Sequence, residues 1–157
     1  MTHSVYRLST GTKSHQRKDR EDRTLDFRNF RRTFEGAPYV NDIDLVEWRM
    51  EGDTVVPVAV LELTRIDDNH HSGAYLQSIL ARFSSQGQGL FITQAADRLG
   101  CDAYIVAYYQ DLTVYCLYNL SEKRGWRIVN PTDYQQWVRS LTPEAIRNKR
   151  RNRLTQR

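Results

Sequence analysis

The run over 55–66, "VVPVAVLELTRI", does most to narrow what this chain can fold into. β-Branched and aliphatic residues follow one another with little relief, as in a strand buried on both faces. One carboxylate, Glu62, stands among Val58, Val60, Leu61 and Leu63. An acid in such company needs a partner, because an isolated charge in apolar surroundings is costly. A second strand-like run over 39–50 comes before it, with Asp42 and Asp44 near its start. Between the two runs "EGDT" is a compact hairpin signal.

Strand side chains alternate, so Asp42, Asp44, Val46 and Trp48 share one side, and Val58, Val60, Glu62 and Thr64 share one side of the partner. A three-residue loop over 52–54 sets Asp44 opposite Glu62 and Asp42 opposite Thr64. Facing Cβ atoms are then about 4.5–5.5 Å apart. A two-residue turn moves the register by one and separates the acids. Two carboxylates that close repel unless a proton or cation lies between them. Mg²⁺ or Mn²⁺ suits such oxygen ligands, with the carbonyl of Leu63 as a further donor. A metal held there polarises a phosphoryl oxygen and acidifies bound water, as phosphodiester hydrolysis requires. In the competing reading Asp42 only bounds the strand and Glu62 pairs with Arg65 or Arg98. Spacing alone leaves both open.

The remaining pattern places elements around this hairpin. Leu25, Phe27, Phe30 and Phe34 mark a helix face, stopped by Gly36 and Pro38. Helices are expected over 73–83 and 90–99, the second ended by Gly100. "DAYIVAYY" and "LTVYCLYNL" read as another hairpin, "GWRIVN" as a short strand, and "PTDYQQWVRSL" as a helix opened by proline. This order fits an α/β or α+β sandwich around a central sheet, and the fold class expected is α/β, a central mixed sheet flanked by helices.

A length of 157 residues fits one domain. No run nears the roughly 20 apolar residues that span a bilayer, and no apolar segment marks a secretory signal. A cytoplasmic or nucleoid-associated protein, away from membranes, is therefore expected. Cys101 and Cys116 have no metal-ligand spacing and read as reduced structural filler. Charge divides the chain: residues 1–20 carry a net +4, residues 147–157 a net +6, and residues 21–146 a net −6. The expected organisation is a flexible basic arm over 1–19, one domain over 20–146 and a basic tail over 147–157. Arg17 and Lys18 in the arm, and Arg147, Lys149, Arg150, Arg151 and Arg153 in the tail, suit nucleic-acid phosphates. Solvated, solubilising ends are the other reading.

"NDIDLVEW" followed by "VAVLELTR" resembles the core of the PD-(D/E)XK nuclease superfamily, especially the branch of Holliday-junction resolvases and RecB-type nucleases. The likeness covers about residues 22–109, and its motif about two dozen of them. It implies a restriction-endonuclease-like αβββαβ core and a Mg²⁺- or Mn²⁺-dependent nuclease. Asp44 matches the first metal-binding acid and Glu62 the second, while Glu21, Asp22 or Asp42 is an extra acid. Thr64 falls where the family has its lysine, which is thought to orient water and stabilise developing charge. The only lysines are Lys13, Lys18, Lys123 and Lys149, none of them in the motif. Gln77, or Gln94, is the candidate replacement donor.

Other motifs carry less. "DDNHH" over 67–71 reads as a helix-start loop, with His71 a weaker general-base candidate. "SSQGQG" lacks a P-loop's lysine and reads as a turn. The tyrosines of the second hairpin, Tyr104, Tyr108, Tyr109, Tyr115 and Tyr118, read as sheet residues before base-stacking ones. The expected activity is hydrolysis of nucleic acid, DNA foremost, by a monomer or homodimer. A catalytically inactive nucleic-acid-binding protein and a protein-interaction subunit are the alternatives.

Overall fold

The computed structural model describes residues 43–67 and 71–155. The helix expected after Arg20, the start of the first strand, and Arg17, Lys18, Glu21, Asp22 and Asp42 all lie outside the described residues. Strands β1 (Leu45–Glu51) and β2 (Thr54–Ile66) come first, then helices α1 (Gly73–Ser85) and α2 (Gln88–Leu99). Strands β3 (Asp102–Tyr109), β4 (Tyr115–Asn119) and β5 (Trp126–Val129) follow, and α3 (Pro131–Ser140) and α4 (Pro143–Thr155) complete the order. The sheet runs β1-β2-β3-β4-β5. Only β2 and β3 pair in parallel; the other neighbours are antiparallel. The chain is therefore α/β with a mixed sheet, as its pattern implied.

β3 lies at the centre of this order and is buried along nearly its whole length, which explains its unbroken apolar run. Alternation sends Ile105 and Ala107 to one face, where they join Ile79 and Phe83 of α1. Tyr104 goes to the other face and meets Trp137 of α3 edge-on at 5.1 Å. Tyr115 stacks on Tyr134 at 4.1 Å, so two of the hairpin's tyrosines serve to attach a helix. Burying a side chain such as Ile105 stabilises by about 1.5–3 kcal/mol. α1 thus lies on one face of the sheet and α3 on the other.

Local chemistry ends each element. Ser72 caps α1 by accepting from the Tyr75 N–H, and Gly100, at φ 75°, closes α2. Asn130 accepts the Asp133 N–H ahead of Pro131, and Thr142 accepts the Ala145 N–H ahead of Pro143.

The last helix revises an expectation. The stretch from 147 belongs to α4 and is docked rather than a loose tail. Ile146 is buried, and the helix cations bond to acids and carbonyls of the body. The physical reason is the −6 body, which supplies carboxylates where the basic helix lands. The second hairpin also turns more widely than "QD", over 110–114, with Leu112 at φ 61°.

Candidate active site

Two departures from regular pairing decide where Asp44 stands relative to Glu62. The first turn has two residues, since Glu51 pairs with Thr54, and this alone separates the acids. Between Glu47↔Ala59 and Trp48↔Pro57, however, β2 carries one extra residue, Val58. This bulge shifts the pairing back by one. Leu45 faces Leu61, and one step further the register sets Asp44 across from Glu62. Pro57 stands beside the irregularity, and its missing N–H makes a bulge the natural place for it.

Asp44 is exposed, and its Oδ2 accepts the main-chain N–H of Leu63 at 2.7 Å. That bond reaches the residue after Glu62 and ties the chain just ahead of β1 to β2. Glu62 is buried, at 6% exposure. The Nε2 of Gln88, the first residue of α2, donates to its Oε1. Gly87, at φ 70°, makes the bend between α1 and α2 that delivers this amide. The "SSQGQG" segment is a turn, as its glycines imply, and it also supplies a residue of the site. Gln77, the expected donor, instead lies exposed on α1, and Gln94 is exposed on α2. Helical phase decides this: the buried side of α1 is Leu76, Ile79 and Phe83, which leaves Gln77 facing outward.

Thr64 has a cationic neighbour that the sequence does not announce. Arg82, in the last turn of α1, donates from Nη2 to Thr64 Oγ1 at 3.3 Å. Thr64 and Glu62 share a strand face, so a guanidinium stands two residues along from the buried acid. The spacing from Thr64 to Arg82 gives no local signal of this contact.

The other candidates fall into place around the sheet. His71 bonds through Nδ1 to the Tyr109 hydroxyl, at the end of β3, and is engaged there. Asp68, Asn69 and His70 lie outside the described residues. Arg147 makes a two-bond pair with Glu51, at 2.8 and 2.7 Å. Lys149 reaches Asp102 and Glu122, both at 3.0 Å. Arg150 donates to the Cys101 carbonyl at 2.8 Å and to Asp97 at 3.4 Å, and Arg153 bonds Asp102. Arg151 is exposed.

Asp102 is fully buried. Burial acts most strongly on its carboxyl and pushes its pKa up, but the bonds from Arg153 and Lys149 outweigh that and hold it below the usual range. Lys149 shows the mirror case: burial pulls it down, yet Tyr104, Asp102 and Glu122 keep its pKa raised. Burial, with help from the Asp102 charge, lifts the Cys101 thiol to about 11, and burial raises Cys116 as well. Both cysteines are buried filler.

As a metal site the geometry offers the Asp44 and Glu62 carboxylates with the Leu63 main chain beside them. Among the described residues no group of three or more His, Cys, Asp or Glu is close enough to share an ion. No helix among them is long and apolar enough to cross a membrane. No family model, curated protein or solved structure matches this chain.

Proposed function

We propose that the chain is a metal-dependent phosphodiesterase acting on nucleic acid, DNA foremost, built on a restriction-endonuclease-like core. The observation that carries this is the Leu45↔Leu61 register, reached through the bulge at Val58, whose continuation by one step puts Asp44 across from Glu62. A hairpin followed by helices and a strand parallel to β2 resembles part of that core's order, with two strands rather than three before the helices among the described residues.

The donor chemistry fits a hard divalent cation: two carboxylates and a main-chain carbonyl, all oxygen. Asp44, Glu62 and Leu63 would hold Mg²⁺ or Mn²⁺, with Glu21, Asp22 or Asp42 as a further acid. When bound, the ion supplies Lewis acidity toward a phosphoryl oxygen and a more acidic water. The chain's own residues prepare the site. The Leu63 N–H orients Asp44, and the Gln88 amide orients Glu62. Arg82 holds a fixed positive charge beside Thr64, where it opposes negative charge developing on phosphate oxygens. It takes over the electrostatic part of the role that Thr64 cannot fill.

The test is cleavage of plasmid, linear, single-stranded and four-way-junction DNA with Mg²⁺ or Mn²⁺, and with EDTA. Asp44→Ala and Glu62→Ala are expected to abolish cutting while remaining folded. Arg82→Ala is expected to slow it by about 10²–10³-fold, the loss typical of one transition-state donor, with Arg82→Lys restoring part. Absence of cutting in every lane, with no divalent-cation shift in melting temperature, overturns the reading. An inactive binding protein on the same fold is the second reading, motivated by Thr64 in the lysine's place. Nucleic-acid binding without cleavage would select it.

A further inference from the structure

On the side of the fold where α4 docks, a cavity of about 430 Å³ opens between α2, the turn after β4, and α4. Its lining includes Arg150, Arg153, Lys123, Ser121 and Thr93, with Asp97 as the lining carboxylate. We infer that this cavity binds a phosphate ester, its phosphate gripped by Lys123, Arg150 and Arg153. These residues are separate from Asp44 and Glu62, so the cavity's role does not depend on the nuclease reading.

The lining is built for an anion. Arg150 and Arg153 lie three residues apart on α4, on one face of the helix. Each is already held in place, Arg150 on the Cys101 carbonyl and Arg153 on the buried Asp102. Those bonds use one terminal nitrogen of each guanidinium, whereas a guanidinium has five N–H donors in a planar fork. Donors thus remain, and they are pre-positioned, which lowers the entropy cost of binding. Lys123 makes no ion pair among the described residues and leaves its charge to the cavity. It sits at φ 57°, a conformation glycine takes with less strain, so its side chain rather than its backbone suits the position.

Hydroxyl chemistry agrees. Ser121 Oγ accepts the Ala103 N–H at 3.3 Å, so its own proton is free to donate. Thr93 spends its proton on the Gly89 carbonyl at 2.7 Å and presents an acceptor, as a ligand's sugar hydroxyl requires. Arg150 is paired with Asp97 and Arg153 with the buried Asp102, so Lys123 carries the surplus positive charge of the lining. Forked guanidiniums match the several oxygens of a phosphate better than a lone charge does. The volume lies within the range of small-ligand sites and exceeds what a bare anion needs, which points to an ester.

The same chemistry has two sources, a free phosphate monoester or the phosphodiester of a nucleic-acid strand. Calorimetric titration of the full chain in EDTA, with adenosine 5′-monophosphate and separately with a short single-stranded DNA, separates them. Binding is expected with at least the DNA, weakened about tenfold in Lys123→Gln and in Arg150→Gln, as loss of a charged phosphate contact implies. Lys123 is exposed, so its variant stays informative even where Arg150→Gln perturbs α4. Binding of the nucleotide as tight as that of the DNA assigns the monoester; binding of DNA alone assigns the strand. The readout is binding in EDTA, where the proposed metal-dependent cutting does not run, which keeps this result apart from the cleavage test. If neither probe binds at millimolar concentration, or if Lys123→Gln binds unchanged, the inference is overturned.

Discussion

Asp102 begins β3 with its carboxylate wholly out of water, bonded by Arg153 and Lys149 from α4 and by the Asn119 amide. Removing one member of such a group leaves the others buried and uncompensated, a loss of about 3 kcal/mol or more. Asp102→Asn is therefore expected to lower stability by about 3 kcal/mol near neutral pH, measured by urea unfolding. The pH dependence follows from the lowered folded-state pKa. The ionised form contributes fully above the unfolded aspartate value of about 3.9, and that contribution is lost as pH falls through the folded value. The gap between wild type and Asp102→Asn should thus hold from pH 7 to 5 and narrow below about pH 4. A constant gap down to pH 3 would contradict the bonding described. None of this was legible in the sequence. "DAYIVAYY" reads correctly as a strand, but the partners of its first residue lie 51 positions away at Arg153 and 47 away at Lys149. No local pattern connects residues so far apart.

At the level of elements, the first hairpin was readable because β-branched alternation survives any turn, whereas the turn's length and the bulge were not. Both an assumed three-residue loop and the observed two-residue turn with bulge set Asp44 across from Glu62, for different reasons. Pro57 was the visible hint of irregularity. Arg82 and Gln88 left no such hint, because the bend at Gly87 and the phase of two helices decide which side chains reach the sheet. Two glycines test the backbone account. Gly52 sits in the turn at φ 59°, with open space where a methyl group would project, so Gly52→Ala is expected to cost about 1 kcal/mol from conformation alone. Gly73 opens α1 in ordinary backbone geometry, also with open space, so Gly73→Ala should be neutral or stabilise by up to about 1 kcal/mol. Thermal melts of the two variants should move in opposite directions. A shared direction would point away from this turn geometry.

Across the whole described fold, α4 acts as a closing piece. It inserts Ile146 into the core beside Leu141, pairs Arg147 with Glu51 at the first turn, and supplies both cations of Asp102. A chain stopped after Leu141 should therefore fail to give a cooperative thermal transition, monitored by far-UV circular dichroism. A merely solvated basic end could be removed with no such loss. The charge division was plain in the sequence; what it did not reveal is that the positive end answers the negative body. There is a consequence for biosynthesis. A ribosome makes Asp102 well before Arg153, and at about 5–20 residues per second the interval is about 3–10 s. Throughout that time the central strand has a carboxylate without its counter-ions, and burying it then costs about 3 kcal/mol or more. Closure of the sheet around Asp102 is therefore expected to be disfavoured until the last helix is made.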